Sequence, residues 1–292
     1  MKVATCSYRP EWHADWDALK NKLRTWVADA ARQGAELLLF PEYAGCEAAL
    51  IGMPTDIPPN DWARRMCDIA EEWARLNSTL AVEFDVHIVA GSLCDWNENH
   101  IVNRAFLCAP TGAVEWQDKL ILTPYERDEM QIQPGAQLKL FNSSLGKIGV
   151  LICYDIEFPL QARALCEAGA QMILVPSATD FVAGQTRVRQ SCRARAIENQ
   201  CLIIQAPVLS EVPNCDILDE GTGCAAVFCP PDFGLPPNGI IAQGRTDEAA
   251  WIFATADPIL IANSRESGQV NNFNHWKEQD FRLENVMNAS LL

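Results

Sequence analysis

The sequence is short of positive charge, of long apolar runs and of paired cysteines, and each shortage argues against a class of function. Lys and Arg number 23 against 38 Asp and Glu, which gives a formal net charge of −15. Such a chain repels phosphate backbones and anionic bilayers, so neither a nucleic acid nor a membrane is expected as a partner. No apolar run approaches the length of a membrane span. No C-x-x-C pair occurs, which removes the commonest redox and zinc patterns.

Histidine is also scarce, and none of its positions has metal-ligand spacing. The four residues are His13, His87, His100 and His275. We therefore expect no metal site. The twelve cysteines are scattered singly, often inside apolar runs, in a chain of 292 residues. This usage favours a reducing cytoplasm, and residues 1–6 are typical of a strand rather than of a signal peptide.

Apolar strands alternate with amphipathic helices along the chain. Strands are predicted at 2–8, 37–40, 87–93, 147–153, 172–175, 201–206, 224–229 and 250–256, with a hairpin at 103–109 and 114–122. Helices are predicted at about 16–33, at 61–85 with a break near Asn77 and Ser78, at 159–168 and at 185–199. The mixture of hairpins and β-α-β units favours two sheets in one α/β domain over 1–292. Its core is expected at about 1–260, and the C-terminal extension 261–292 is a candidate oligomer interface.

Three stretches place a reactive side chain at or beside a predicted strand. Glu42 follows the apolar run Leu37–Phe40, Cys153 ends the run Lys147–Cys153, and Lys119 lies in the apolar segment 116–122. Because ligands of α/β sheets gather at the carboxyl ends of strands, Glu42 and Cys153 are expected to face one cleft. Taken singly, the three also have ordinary interpretations: a capping carboxylate, an inert core thiol and a lysine that reaches solvent.

The order of several motifs carries more information than any one of them. F-P-E ends at Glu42, Lys119 precedes P-Y-E at 124–126, and G-V-L-I-C-Y-D-x-E-F-P surrounds Cys153. The segments 174–178 (L-V-P-S-A) and 193–199 (R-A-R-A-I-E-N) follow. In this order the motifs resemble the nitrilase superfamily of carbon–nitrogen hydrolases, and the resemblance extends from the first strand to about Asp257.

The resemblance implies a four-layer α-β-β-α sandwich, commonly paired through helices, so a homodimer or larger homo-oligomer is expected. It also implies that Glu42, Lys119 and Cys153 form the catalytic set. A second catalytic glutamate falls on Glu126, with Glu129 as the alternative. The segment Arg193–Glu198 is expected to brace the site without touching the substrate.

These residue types suit hydrolysis of a small-molecule amide by water through a covalent intermediate, and this chemistry is expected to need neither a metal nor an organic cofactor. A free thiol has a pKa of about 8.5 and needs a base or a nearby cation to react at neutral pH. Glu42 is expected to take the thiol proton and Lys119 to favour the thiolate. Lys119 and the backbone N–H of Tyr154 are the expected hydrogen-bond donors to the oxyanion. Loss of one such donor typically raises the activation barrier by about 3–4 kcal/mol.

The residues after the nucleophile bear on the substrate. Cys-Tyr-Asp resembles amidase-type branches, whereas nitrilases usually carry Cys-Trp-Glu. Relatives that bind a substrate carboxylate place arginine just beyond the cysteine, where this chain has Ile156 and Glu157. The candidate substrate-binding residues are Tyr154, Glu157, Thr179 and Asp180. They favour a neutral or cationic substrate end over a carboxylate.

Several alternatives stay open on the sequence alone. Glu157 is equally typical of a residue that enters a helix, and Arg187 or Arg189 is an alternative source of a guanidinium. The same catalytic set serves nitriles and N-carbamoyl compounds. A cysteine hydrolase that uses a histidine, or a non-catalytic member acting as a binding or scaffold protein, are hypotheses of other classes.

Overall fold

The computed structural model describes residues 1–284 and 286–291, and its first sheet has six strands. These are β1 Lys2–Ser7, β2 Leu37–Leu39, β3 His87–Asn97, β4 His100–Cys108, β5 Val114–Asp118 and β12 Ala250–Thr255. Their order across the sheet is β12-β1-β2-β3-β4-β5. Strands β1, β2 and β3 are parallel, and the outer pairings are antiparallel.

The second sheet has the same layout. Its strands are β6 Leu140–Ser143, β7 Gly146–Val150, β8 Met172–Ser177, β9 Leu202–Pro207, β10 Ala226–Phe228 and β11 Ile240–Gln243. They lie in the order β11-β10-β9-β8-β7-β6, with β7, β8 and β9 parallel. Antiparallel partners flank this parallel centre on both sides. Glu42 and Cys153, two of the residues predicted to be reactive, follow the carboxyl ends of central parallel strands, β2 in the first sheet and β7 in the second.

Helices cover the outer face of each sheet. They are α1 Trp16–Arg32, α2 Pro59–Cys67, α3 Ala70–Phe84, the short α4 Pro124–Asp128, α5 Pro159–Glu167 and α6 Val182–Asn199. Strand β2 shows the layering, since its side chains alternate between two cores. Leu38 packs in a core with α1, α2 and α3, whereas Leu37 and Leu39 pack in a core with the second sheet, α5 and α6. The predicted four-layer α-β-β-α sandwich is confirmed.

The predicted helix at 61–85 is two helices, and its break was placed wrongly. The chain leaves α2 after Cys67 and enters α3 at Ala70, so the interruption lies at 68–69 rather than near Asn77 and Ser78. Asn77 is fully buried inside α3, where its amide donates to the carbonyl of Trp73 at 3.0 Å. Because this bond runs one turn back along the helix, asparagine is accommodated there without a break.

Two edge strands have no counterpart in the sequence prediction. Strands β6 and β11 are four residues each and close opposite edges of the second sheet. Both are only partly buried, so neither has the apolar alternation that revealed the central strands. Their position comes from pairing with β7 and β10, partners that the local sequence does not specify.

The C-terminal segment packs against α5 and the end of α6. It contains α7 Pro258–Ser267, α8 Asn272–His275 and a 3₁₀ helix at Trp276–Arg282. The proposed boundary at about 260 therefore falls inside α7. The Arg163 guanidinium of α5 lies over the rings of Phe273 and Trp276, at 4.4 and 5.0 Å from their centroids. Within the described part of the chain, no helix is both long and apolar enough to cross a membrane.

Candidate active site

Four side chains with reactive groups converge on one cavity of about 560 Å³. Glu42 comes shortly after β2, Lys119 directly after β5 and Cys153 shortly after β7, while Glu126 belongs to α4. All four are at most 4% exposed. The structure thus brings together the four residues predicted as catalytic. Glu129, the alternative second glutamate, is exposed and lies outside the cavity wall.

Lys119 is the centre of the buried charges. Its Nζ lies 2.8 Å from Glu42 Oε1, 2.9 Å from Glu126 Oε1 and 2.7 Å from Glu126 Oε2. A buried ammonium is strongly destabilising unless it is paired and hydrogen-bonded, and here it has two carboxylates. One positive charge between two carboxylates leaves the cluster negative when both are ionised. One of the two carboxylates is therefore the group most easily protonated.

The Glu126 carboxylate has donors at both oxygens. Oε1 accepts from Tyr43 OH at 2.8 Å, and Oε2 accepts from the backbone N–H and the hydroxyl of Thr123 at 2.9 and 3.0 Å. Thr123 and Glu126 form a reciprocal capping box at the start of α4. These bonds, with those from Lys119, hold Glu126 in a fixed position in its ionised form.

Glu42 has fewer donors and lies next to the thiol. Its Oε2 accepts from the backbone N–H of Ala178 at 2.8 Å, and the carbonyl of Ala178 accepts from Cys153 Sγ at 3.2 Å. One residue after β8 thereby contacts both side chains. After burial, the neighbouring Glu42 carboxylate has the largest effect on the Cys153 thiol, and both raise the pKa of that thiol. Glu42 is the group placed to exchange a proton with Cys153.

Two residues without an assigned role in the sequence analysis hold this arrangement. Asn103 on β4 is fully buried and donates from Nδ2 to Glu42 Oε1 at 2.9 Å and to Glu126 Oε1 at 3.1 Å. Asp155 accepts backbone N–H groups from Ile121 at 2.8 Å and from Ile152 at 3.2 Å. It ties the chain after Lys119 to the chain before Cys153. Asn103 lies beside a second polar residue, Arg104, in β4, so the strand pattern by itself does not single it out.

Cys153 has a strained backbone. Its φ is +48°, in the left-handed region that residues with a Cβ seldom occupy, and it opens a 3₁₀ turn at Cys153–Glu157. Arg195 of α6 donates to the carbonyls of Ile156 and Glu157, each at 3.1 Å, and so holds that turn. These contacts are those of a brace, the role expected for the segment Arg193–Glu198.

The two glutamates differ in acidity. Burial raises the pKa of Glu42 to about 7, because the attraction of Lys119 only partly offsets desolvation and the repulsion of Glu126. Burial also acts to raise the pKa of Glu126, but Lys119, Thr123 and Asn103 outweigh it, and the pKa is lowered. Glu126 is therefore the fixed charge, and Glu42 titrates near neutrality, where a proton carrier is most useful.

The thiol itself is not acidic. Burial and the adjacent Glu42 raise the pKa of Cys153 well above its ordinary value, and the opposing effect of Lys119 is smaller. Burial also acts against the charge on Lys119, but Glu126 and Glu42 outweigh it and raise the pKa of the lysine. The expectation that Lys119 favours the thiolate has the right sign but an insufficient magnitude. A neutral thiol with a neighbouring proton acceptor is the resting state that results.

The candidate substrate-binding residues Tyr154, Glu157, Thr179 and Asp180 all lie on the cavity wall. Further carboxylates come from a loop that the sequence analysis did not assign to the site, at Asp216, Asp219 and Glu220. Burial, followed by repulsion from Asp219 and Glu220, raises the pKa of Asp180. The outer wall of the cavity therefore carries a concentration of negative charge.

One arginine lies on the same wall. Arg187 Nε is 3.5 Å from Glu157 Oε1, and its side chain is 63% exposed. Arg189, the other candidate, instead donates to Gln243 and contacts the sulfur of Cys224. Of the two arginines, Arg187 is the one near the cavity, and its charge is already paired with Glu157.

The histidine and metal alternatives have little geometric support. Within residues 1–284 and 286–291, no histidine lies on the cavity wall. Glu11, His13 and Glu47 place their ligand atoms within 4.8 Å of one another. Lys22 Nζ already lies among them, 3.0 Å from Glu11 and 2.6 Å from Glu47, and Tyr8 also donates to Glu47. The cluster is an ion pair between Lys22 of α1 and the buried Glu47 of the 3₁₀ helix at Ala44–Ala49, with the exposed Glu11 at its edge. All twelve cysteines are free thiols.

The chain is similar in sequence and in fold to known carbon–nitrogen hydrolases. Residues 2–208 match the family model described as carbon-nitrogen hydrolase, and the chain belongs to that family. The "Probable hydrolase YhcX" of Bacillus subtilis is 27% identical over 284 residues, which cover 97% of this chain. The chain spans about half, 55%, of the length of that curated relative.

Solved structures give the same fold. Nit3 of Saccharomyces cerevisiae, described as a member of branch 10 of the nitrilase superfamily, superposes with a TM-score of 0.73 at 22% identity, covering 91% of this chain and 93% of its own. A glutamate-to-glutamine mutant of the amidase from Nesterenkonia sp. AN1 gives 0.71 at 20% identity, covering 98% and 97%. In that mutant the acetamide moiety of fluoroacetamide is attached to the active-site cysteine.

Proposed function

We propose that this protein hydrolyses the amide bond of a small molecule through a thioester on Cys153. The observation that carries the proposal is the contact of Lys119 Nζ with Glu42 and Glu126, in the cavity that also receives the Cys153 thiol. The Nesterenkonia amidase carries a covalent adduct on its active-site cysteine, and this chemistry supports a nucleophilic role for Cys153.

In the first half of the reaction, Cys153 attacks the amide carbon while Glu42 accepts the thiol proton. Transfer accompanies attack because burial and Glu42 keep the pKa of the thiol high. The new oxyanion accepts hydrogen bonds from the Lys119 ammonium and from the backbone N–H of Tyr154. Collapse breaks the carbon–nitrogen bond, Glu42 gives its proton to the nitrogen, and ammonia or an amine leaves.

In the second half, water replaces the departed amine. Glu42, ionised again, accepts a proton from the water as its oxygen attacks the thioester carbon. The carbon–sulfur bond breaks, the sulfur takes the proton from Glu42, and the acid leaves. Glu126 keeps its charge throughout and holds Lys119 in place, and it serves to orient the reactants rather than to carry a proton.

The preferred substrate has a neutral or cationic end away from the amide. Asp180, Asp219 and Glu220 make the outer wall negative, and Arg187 is paired with Glu157. A substrate carboxylate would meet like charges in a partly desolvated cavity, whereas an ammonium would be attracted. This agrees with the absence of an arginine just beyond Cys153.

A homodimer or larger homo-oligomer is also proposed. Leu160 on α5 and Val182 and Ile197 on α6 are exposed apolar side chains on the helices of one outer layer. Covering these side chains with a second copy of the chain would remove apolar surface from water and so favour association. Light scattering after size exclusion measures the mass of the assembly directly, and a monomer at micromolar concentration would contradict this proposal.

Detection of the thioester tests the proposed reaction. The full chain is mixed with a panel of small amides, nitriles and N-carbamoyl compounds, quenched in acid and measured by intact mass. We expect an adduct of the acyl mass from amides, absent from Cys153→Ala. Turnover of an amide without any adduct, or an adduct that persists in Cys153→Ala, would overturn the mechanism. Turnover confined to nitriles or N-carbamoyl compounds would overturn the substrate class.

A further inference from the structure

The amide of Asn103 occupies an unusual position between two carboxylates. Its Nδ2 donates to Glu42 Oε1 and Glu126 Oε1, the same two oxygens that accept from Lys119 Nζ. Lysine and asparagine therefore lie at opposite corners of a ring of four hydrogen bonds. The backbone carbonyl of Asn103 also accepts from the Lys119 N–H at 2.8 Å, so this residue holds the chain that carries the ammonium.

The orientation of the amide follows from its surroundings. Asn103 is fully buried, and its Oδ1 has no hydrogen-bond partner. The reversed amide would turn an acceptor oxygen toward Glu42 and Glu126 and leave the NH₂ group unsatisfied. Leaving one buried oxygen without a protein partner is unfavourable, which indicates that the bonds to the two carboxylates compensate for it.

We propose that Asn103 is a positioning residue that holds Glu42 in its reactive place and stabilises its ionised form, and so sets the pH above which the enzyme works. The proposal rests on the function proposed above. Asn103 does for Glu42 what Lys119 does, but without adding charge. Its removal should therefore shift the proton equilibrium of Glu42 while leaving the ammonium that stabilises the oxyanion.

The other groups that face Glu42 determine how a shift in the pH profile of an Asn103 variant is interpreted. They are Lys119 after β5, Glu126 on α4, Cys153 after β7, Cys94 on β3 and the adjacent Tyr43. Glu126 disfavours the ionised form of Glu42, whereas Lys119 and the Cys153 thiol favour it. All of these groups are retained when Asn103 is replaced. A change in the pH profile of an Asn103 variant therefore reports the lost amide donors.

The test is the pH profile of Asn103→Leu in the full-length enzyme between pH 5 and 9. Leucine has a similar volume and no donor. A lost hydrogen bond to a charged group corresponds to a rise of about one to two pH units in the acid-limb midpoint of kcat/KM. At pH 6 the variant should be about ten- to a hundredfold slower than wild type, and it should recover most of that loss at pH 9.

Alkylation of Cys153 by iodoacetamide gives a second reading that needs no substrate. If Glu42 accepts the thiol proton, the alkylation rate should fall at low pH with the same midpoint as kcat/KM. Asn103→Leu should then raise both midpoints by the same amount. A wild type that is alkylated with this limb but hydrolyses no amide would count against the proposed function alone. The role of Asn103 would then be judged on the alkylation profile.

Asn77→Leu is the matched control. Asn77 is also a fully buried asparagine with an unpartnered Oδ1, but it lies in α3 and bonds only within its helix. It should lower stability and leave both midpoints unchanged. Asn103→Ser, which keeps a hydroxyl donor, should give a smaller shift and replaces Asn103→Leu if circular dichroism shows that the leucine variant is unfolded. A uniform loss of rate at every pH, with the wild-type midpoint, would overturn the proposal.

Discussion

Replacing Glu42 by glutamine should change the stability of the protein in a way that depends on pH. Glu42 is 1% exposed, and its pKa in the folded protein is raised from the ordinary 4.5 to about 7, chiefly by burial. The folded state therefore binds this proton more tightly than the unfolded state. The resulting stabilisation is complete below about pH 4.5 and is lost as the pH rises through about 7.

The size of this stabilisation follows from the shift in the pKa of Glu42. A shift from 4.5 to about 7 corresponds to about 3 kcal/mol at about 1.4 kcal/mol per pH unit. Most of this, about 2 to 3 kcal/mol, is lost between pH 5 and pH 8. The glutamine variant does not titrate there, so its stability relative to wild type should rise by that amount. The substitution also lowers the free energy of unfolding by an amount that does not depend on pH. The reason is that the glutamine NH₂ group either faces the Ala178 N–H or leaves Lys119 less well paired.

The pH dependence of the difference is therefore the quantity to measure. Urea unfolding followed by tryptophan fluorescence gives the free energy of unfolding for both proteins from pH 5 to pH 8 at one protein concentration. Glu115→Gln, which replaces an exposed carboxylate on β5, controls for the change in net charge. A difference that stays constant over this range, or that favours the wild type increasingly at high pH, would refute a neutral-range pKa for Glu42.

Three further outcomes are expected. Lys119→Met should lower kcat by a factor of about 100 to 1,000 with little change in KM, because the ammonium is proposed to stabilise charge that exists only in the transition state. A near-native kcat would contradict this role. Limiting iodoacetamide should label Cys153 first, as peptide mapping can show, because this thiol lies on the cavity wall. Earlier labelling of Cys166, whose pKa is lowered by a hydrogen bond from Cys201, would show that acidity outweighs access. Among amides of matched size, an amine-ended substrate should have a kcat/KM at least about tenfold above a carboxylate-ended one. A carboxylate preference that is unchanged in Glu157→Gln would contradict the proposed wall charge.

Much of the architecture could be predicted from local patterns. The central strands are apolar runs such as Leu37–Phe40, and the helices have apolar faces such as Leu19, Leu23 and Val27 on α1. These patterns arise because both sides of a central strand and one side of a helix must be covered. The edge strands β6 and β11 escaped prediction because a half-exposed strand needs no apolar run. The break between α2 and α3 was misplaced because the sequence does not tell whether Asn77 bonds within its helix or ends it.

The sequence by itself determined the family resemblance, the strand ends and the identity of the reactive side chains, since these depend on residue types in a fixed order. Only the tertiary structure decided the acidity of each of two identical carboxyl groups. Glu42 and Glu126 share the same chemistry, yet Glu126 is held ionised by donors at both oxygens while Glu42 titrates near neutrality. The groups that give the two carboxyl groups different pKa values come from β4, the residue after β5 and the end of β8, which lie far from Glu42 along the chain. Desolvation and hydrogen bonding set a pKa through such contacts, and they exist only once both sheets have packed.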